Sequence, residues 1–389
     1  MHSDSEQLIR ETDRLAATRR ELRQARHAPG YIYSSPEFYR AEVEEYFMRD
    51  WLYVAREEEL PDPGDYMALR LVEQPVVIAR GKDGELHAYY NMCLHRGVEV
   101  AYGSGNARMF RCPYHGWTYD LSGKLIGAPH MGQTEGFDVK ACRMKPVRIG
   151  TWRRNVFITF NPEAPTLAEF VADLEEEFGF LGMEKCRLGH KITRELDCNW
   201  KLVHENYLDF YHVHVLHSKT TGARFSWKDD EWKKKRNGAI TLFYKAAPHT
   251  PNGELFFGKM PWLADRDTNF ACTGYRMPNF TLFGRIDTVR VACAWPLGPD
   301  RCVVNIFIMF PEEFHQRVDF SEKAQIAGEF QIRTLEEDRS MLASMQKAMP
   351  LPAYMPGPMS YLENPIHFYL NSHLDRLQGQ KRNAEEDDR

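Results

Sequence analysis

Nowhere in the chain do about 18 or more apolar residues follow one another, so no segment reads as a membrane-spanning helix. The N-terminal stretch MHSDSEQLIRETDRL lacks the apolar core of a secretory signal, and a cytoplasmic protein is expected. Positive charge is not in excess. The formal net charge is −5, which leaves no field to gather a polyanion, and nucleic acid is not an expected partner. Cysteine is sparse, 8 in 389 residues and scattered, so in a reducing compartment these are expected to be buried thiols or metal ligands and not a disulfide scaffold. No G-x-G-x-x-G fingerprint occurs, so a nicotinamide dinucleotide must be oxidised by another protein if electrons from one are used. No internal repeat stands out.

What is present is an ordinary globular composition, 43% hydrophobic and 27% charged, in a chain long enough for two modest domains or for one inserted in another. Residues 4–27 carry Leu8, Ile9, Leu15 and Leu22 at roughly helical spacing up to HAPG, which predicts an amphipathic N-terminal helix. From about 50 to 160 the texture changes to short β-like runs (YMALRLV, QPVVIARG, ELHAYYNM, MFRCPYHGWTYD, NVFITF) broken at DPGD, KDG and LSG, as in a small antiparallel β-domain. Residues 166–187 and Leu202–Leu216 read as helical. AITLFYKA, FTLFGRI, TVRVACAWPL and CVVNIFIMF read as strands of one sheet, and 320–348 and 364–377 as closing helices. Lys233-Lys234-Lys235-Arg236 reads as a solvated loop, with a docking patch for an acidic partner protein as the alternative. The fold class expected is α+β: an antiparallel β-domain inserted in or preceding a domain with an antiparallel sheet covered by helices. The boundaries expected are 1–45 for an N-terminal helical segment, 46–160 for the β-domain, 161–377 for the second domain and 378–389 for a polar, disordered tail.

Two clusters of metal-ligand residues carry the chemistry. CLHRG at 93–97 and CPYHGW at 112–117 each place one cysteine and one histidine on a tight loop: Cys93 with His95, Cys112 with His115. Two thiolates and two imidazoles suit tetrahedral zinc or a [2Fe–2S] cluster in which two histidines replace two cysteines on one iron. Zinc knuckles usually hold both sulfurs on one loop, so the split favours the cluster, and Gly97 and Gly116 stand where the backbone must wrap the sulfurs.

The second cluster is DFYHVHVLH, residues 209–217. Asp209 and His212 are three apart and share a helical face, so the carboxylate can accept one imidazole N–H and fix which nitrogen faces a metal. His212 and His217, five apart, would sit roughly 140° from each other on an ideal helix and converge only if the helix ends or distorts between them. His214 and His217 are the better pair on regular geometry.

C-x-H-R-G followed by C-P-Y-H-G-W, with Tyr119-Asp120 and Gly123 after it, resembles the Rieske non-haem iron oxygenases, catalytic α subunit. The resemblance runs from about residue 35 to 377 and includes Asn199-Trp200-Lys201, Glu205-Asn206 and D-x2-H-x4-H. It implies a [2Fe–2S] cluster on Cys93, His95, Cys112 and His115, and a mononuclear Fe(II) on His212, His217 and a downstream carboxylate. Within IRTLEEDRSMLASMQ that carboxylate matches Asp338 best, with Glu337 the neighbour open to confusion. Asp209 and Asn206 are implied as catalytic residues, Asp209 as the bridge by which electrons cross between subunits of a homotrimer. Only Tyr207 and Leu208 separate Asn206 from Asp209, whereas naphthalene-dioxygenase-like members have a longer spacer containing glycine. This suggests α subunits that assemble without β.

The expected activity is that of a terminal oxygenase, a mono- or dioxygenase fed by NAD(P)H through a reductase, with or without a ferredoxin. It would hydroxylate or oxidatively dealkylate an aromatic or N/O-alkylated aromatic compound, and Leu202, Tyr207, Phe210, Phe280 and Phe283 are candidates for an apolar pocket. A quaternary amine or betaine is the alternative substrate, since aromatic rings also cage cations. The alternative class is a Rieske electron carrier with a non-catalytic ligand-binding domain, which would differ at 205–217 and 338.

Overall fold

The computed structural model describes residues 12–235 and 238–379. The chain divides into two compact units, one formed by Phe47–Phe170 and the other by the segments on either side of it. The β-rich unit is therefore an insertion.

The inserted unit contains β1 (Leu52–Arg56), β2 (Asp65–Leu71), β3 (Gln74–Arg80), β4 (Leu86–Tyr90), β5 (Ser104–Asn106), β6 (Phe110–Arg111), β7 (Thr118–Tyr119), β8 (Leu125–Gly127), β9 (Pro146–Trp152) and β10 (Asn155–Thr159). Seven strands form one sheet in the order β1-β10-β9-β4-β3-β2-β5, and β6-β7-β8 form a second. Both sheets are antiparallel throughout. Val77, Ala79, Tyr89, Phe110, Trp117 and Tyr119 fill the space that also takes the thiols of Cys93 and Cys112.

The other unit contains β11 (Cys186–Leu196), β12 (Phe225–Lys234), β13 (Ile240–Ala246), β14 (Phe270–Arg276), β15 (Phe280–Arg285), β16 (Val289–Pro296) and β17 (Cys302–Pro311). They form one antiparallel sheet, a meander from β12 to β17 with β11 added beside β17. β16 is buried at all eight positions, which explains the unalternating run VRVACAWP: a strand covered on both faces has no solvent side. Its fully buried valines, Val289 and Val291, each contribute about 1.5–3 kcal/mol.

Five helices matter to the argument: α1 (Pro36–Glu42), α2 (Trp200–Leu208), α3 (Val213–Leu216), α4 (Phe320–Ala348) and α5 (Asn364–Leu377). Ser35 caps α1 by accepting from the backbone N–H of Glu37 and Phe38, with Pro36 in the first turn. At its far end Glu42 is fully buried and meets Lys201 Nζ and His373 Nε2, each at 2.7 Å. α2 packs on β16 and α4 on β11, which brings both over one region of the sheet.

Three expectations need correction. The continuous helix over 4–27 is not found: residues 1–11 lie outside the described set, and beyond them only Thr12–Leu15 and the 3₁₀ turn Leu22–Gln24 are helical. Thr18 Oγ1 bonds the His27 carbonyl and Arg26 N–H bonds the Ala17 carbonyl, so the chain doubles back. The lysine run is not a loop. Lys233 and Lys234 end the edge strand β12, where charge discourages further strand pairing, and Lys235 pairs with Glu177 at 2.5 Å. Arg236 lies outside the described residues, as do 380–389 of the expected tail. Finally, Leu202–Leu216 is two helices, broken between Leu208 and Val213.

Candidate metal centres and active site

The two cysteine–histidine loops of the β unit have the same construction. In each, the glycine four residues on donates its N–H to the cysteine carbonyl, Gly97 to Cys93 at 2.8 Å and Gly116 to Cys112 at 3.0 Å. The cysteine N–H in turn reaches the carbonyl five residues on, Val98 at 2.8 Å and Trp117 at 2.7 Å. Both glycines have positive φ, +77° and +73°, a conformation that a residue with a Cβ adopts only under strain. The loops stand side by side, with His95 Nδ1 and His115 Nδ1 3.1 Å apart and the His95 ring stacked on Trp117.

Cys93 and Cys112 are 3% exposed, and Tyr119 Oη lies 3.2 Å from Cys93 Sγ while accepting the Leu94 N–H. Burial, opposed by the bond from Tyr119, holds the Cys93 thiol above its ordinary range in the bare protein. A bound cation reverses that penalty. Two buried sulfurs and two imidazole nitrogens turned toward each other fit a cluster with mixed ligands.

In the other unit the break after α2 builds the second centre. Asp209 leaves the helix at φ −90°, ψ 108°, and its Oδ1 accepts from the N–H groups of Tyr211 and His212, starting a new turn. The short α3 follows, with His212 at its N-cap and His217 at its C-cap. This is the interruption that histidines five apart require. Gly222 makes the following return possible: its N–H bonds the His217 carbonyl at 2.8 Å, and a Cβ there would lie 2.3 Å from the Val213 carbonyl oxygen.

His212 Nε2 and His217 Nε2 lie 3.3 Å apart. Asp338, from the middle of α4, brings Oδ1 to 3.0 Å from His217 Nε2 and 3.7 Å from His212 Nε2. Donors at right angles on bonds of about 2.1 Å sit about 3 Å from one another, so the three atoms can share one ion. Asp338 Oδ1 is buried and accepts no aligned hydrogen bond among the described residues, as a waiting ligand would. Each imidazole also turns its other nitrogen to a carboxylate. His212 Nδ1 is 3.0 Å from Asp209 Oδ2, at ion-pair distance though off the ring N–H direction. His217 Nδ1 is 2.7 Å from Glu337 Oε2, which also accepts from Thr220 Oγ1. Burial opposes protonation of His217, but Asp338 and Glu337 outweigh it and raise its pKa.

Glu337 and Asp338 were adjacent candidates in the sequence; the structure turns Asp338 between the histidines and Glu337 onto the back of His217. His214 points elsewhere, its ring edge on Phe225. A cavity of about 120 Å³ opens beside the three donors, and Asn206, Tyr207, Phe210 and Phe283 line it. Leu202 and Phe280 lie outside that lining and are core, 2% and 1% exposed. Phe280 is an odd number of residues from Phe283 and so faces the other side of the sheet, and Leu202 is rotated roughly 140° around α2 from Tyr207. Sequence reasoning missed Glu337 as a partner of His217, and it missed Arg285, Arg290 and His249 in the cavity wall. Two arginines inside otherwise apolar strand runs were the available signal for the first two.

Among the described residues no helix is long and apolar enough to cross a membrane. The family model for the ring hydroxylating alpha subunit (catalytic domain) matches residues 183–379, and that for the Rieske [2Fe-2S] domain matches 50–142. The carnitine monooxygenase oxygenase subunit of Acinetobacter pittii is 34% identical over 294 residues, 73% of this chain and 76% of that protein. The 2-aminobenzenesulfonate 2,3-dioxygenase subunit alpha of an Alcaligenes species is 29% identical over 291 residues, 70% of this chain and 72% of its own. A solved quaternary ammonium Rieske monooxygenase, described for carnitine oxidation and inter-subunit electron transfer, shares the fold with a TM-score of 0.74 at 22% identity, over 92% of this chain and 96% of that one.

Proposed function

Since the chain belongs to the ring-hydroxylating α-subunit family of Rieske oxygenases, which are oxidoreductases, we propose that it hydroxylates or oxidatively dealkylates an aromatic or N/O-alkylated aromatic substrate. Its electrons come from NAD(P)H through a separate reductase, directly or by way of a ferredoxin. The observation that carries this reading is the convergence of His212, His217 and Asp338 on one point at the wall of an aromatic-lined cavity. When bound, the [2Fe–2S] group supplies electrons one at a time and the mononuclear iron supplies the position at which dioxygen is activated.

The protein's own residues divide the remaining work. Cys93, Cys112, His95 and His115 hold the cluster, and His212, His217 and Asp338 hold the single iron. Glu337 fixes His217 with Nε2 inward, because a carboxylate on Nδ1 selects that tautomer, and Asp209 lies at ion-pair distance behind His212. Tyr207, Phe210 and Phe283 give the substrate an apolar bed, and Asn206 stands beside them on the last turn of α2.

The assembly we propose is a homotrimer in which Asp209 of one copy meets a cluster histidine of the next. Its support is exposure: His95 and His115 are at the surface with Leu94 and Tyr114 exposed beside them. Asp209 is 20% exposed, and Tyr211 and Val215, which follow it in the chain, are exposed. Each rim carries apolar surface suited to burial against another chain.

A quaternary amine is the second reading, favoured by the carnitine-oxidising relative. Incubating the enzyme with a reductase, NADH and panels of both substrate classes, and scoring oxygenated product and not NADH loss, decides between them. Product from quaternary amines alone would reverse the assignment. About three irons per two acid-labile sulfides are expected in each chain; two per two would make the protein an electron carrier with a ligand-binding domain.

A further inference from the structure

Within that oxygenase reading, we infer that the substrate is a small aromatic acid whose carboxylate or sulfonate is held by Arg285 and Arg290. The hairpin from β15 to β16 places them. Phe283 pairs with Arg290 across the strands, Arg285 lies two residues beyond Phe283, and side chains two apart or directly opposite share a face. That face carries the cavity wall, of which all three are part.

Both guanidiniums are buried, at 7% and 6% exposure, and among the described residues neither has a carboxylate at ion-pair distance. Arg285 Nη1 donates to Tyr244 Oη at 3.0 Å and to the Gly284 carbonyl at 3.2 Å; Arg290 Nη1 donates to Gln331 Oε1. These partners are neutral, and the Nε of each arginine is buried without any partner among the described residues. Two other buried cations are matched by carboxylates, Lys201 with Glu42 at 2.7 Å and Arg56 with Glu58 at 2.9 Å. An unmatched buried charge is costly, and two beside each other are more so.

The nearby acids are committed elsewhere. Asp338 and Asp209 face the histidines, Glu337 backs His217, and Asp287 at the hairpin turn is buried beyond ion-pair distance with Thr288 as its side-chain partner. Burial drives the Asp287 carboxyl up to about 6. Burial together with the Arg285 charge drives Arg290 down to about 9. The third arginine of the wall, Arg224, is already used by the carbonyls of Thr220, Thr250 and Pro251.

The aromatic rings point the same way. Arg285 stands over Tyr244 at 5.1 Å and Arg290 over Phe283 at 5.3 Å, so two ring faces that could cage an ammonium group already face a cation. Tyr207 Oη and His249 Nε2, buried without partners among the described residues, remain to orient a ligand's polar atoms. A planar acid answers each of these features: the forked guanidiniums match its anionic group, and its ring lies among the aromatic side chains. A cavity of about 120 Å³ limits it to about one ring.

Calorimetric titration of the holoenzyme tests this with benzoate, benzenesulfonate, benzamide, choline and glycine betaine. We expect at least one of the two acids to bind, with benzamide weaker by about 10- to 100-fold, the loss of one or two charge-assisted bonds. Which acid binds identifies the anionic group. Arg285→Gln and Arg290→Gln should each remove the preference for acid over amide, and Arg290→Lys should retain part of it. Equal binding of acid and amide, tighter binding of choline or betaine, binding of neither acid, or an unchanged preference in folded Gln variants would each overturn the inference. The comparison in the wild-type protein decides it even if the variants do not fold. An acid bound with this preference but never oxygenated would instead defeat the oxygenase reading and leave the arginine pair standing. Oxygenation of neutral aromatics without any preference for acids would do the opposite.

Discussion

The two metal centres hold their histidine nitrogens at nearly the same separation, 3.1 Å in the β unit and 3.3 Å beside α4, yet present opposite edges of the ring. In the β unit Nδ1 turns inward and the ring is exposed. Beside α4 Nε2 turns inward and Nδ1 is backed by a carboxylate. A centre whose ring edges reach the surface suits exchange of electrons with something outside, and one whose ligands are fixed from behind suits a site that must keep its shape while substrate enters. The first is also assembled from two local loops, whereas the second needs α2, α3 and α4 to be packed together.

The largest effect expected is from Asp338→Ala, which leaves two histidines and no carboxylate. Oxygenation should fall below about a thousandth of wild type, while the cluster's visible spectrum and its sulfide content stay unchanged. Loss of the cluster as well would show that the two centres are not independent. His115→Cys strikes the other side. If His115 is a cluster ligand, a neutral donor becomes a thiolate, and the potential should drop by about 200 mV or more toward that of all-cysteine clusters, with the single iron retained. A folded variant with the original potential would take His115 out of the ligand set.

Asp209→Asn is the intermediate case. Stability should change by at most about 1 kcal/mol, because Asn caps the turn as well as Asp does. With the charge behind His212 gone, reoxidation of the reduced cluster in a single turnover should slow by about 10-fold or more while both metals remain. A wild-type rate in the fully metallated variant would end the bridging role. His214→Ala should do least, keeping both centres and most of the activity. Loss of the single iron would mean that the ligand pair has been chosen wrongly.

The contrast in assembly also governs what the sequence makes legible. The cluster loops could be read directly because every feature of each, from cysteine to turn glycine, lies within five residues. Of the seven strands in the sheet of the outer unit, β13, β15, β16 and β17 were legible as apolar runs broken at Pro and Gly, as were the helices at 320–348 and 364–377 from their periodicity, whereas β11, β12 and β14 were not read as strands. His212 and His217 were not, since regular helical geometry favours His214; the break that pairs them comes from Asp209 accepting two backbone N–H groups, a choice made by a single side chain. The paired turns Val72-Glu73 and Arg153-Arg154 also escape a search for turn residues, because all four adopt positive φ without being glycine. Asp338 was preferred to Glu337 on the resemblance; periodicity by itself does not separate the two, and the rotation of α4 turns one to each nitrogen of His217. The N-terminal helix failed for a tertiary reason: Arg19 reaches Asn371, Asp375 and Gln378, and that anchorage favours a folded-back path.

The buried contact of Glu42 with Lys201 and His373 has a consequence for the order in which the molecule is made. Glu42 is translated first, then the whole insertion Phe47–Phe170, and only afterwards the residues that neutralise it. The insertion holds its own core and can fold during that interval, pairing Leu52 with Ile158 near its two ends so that no long floppy loop is left to close. The outer unit stays open until α5 supplies His373. Removing the Glu42 carboxylate alone, as in Glu42→Ala, would leave the buried Lys201 ammonium without this partner, at a cost of about 3–5 kcal/mol. That is a large share of what holds a domain together, so the half that carries the single iron depends on a segment translated before the insertion began.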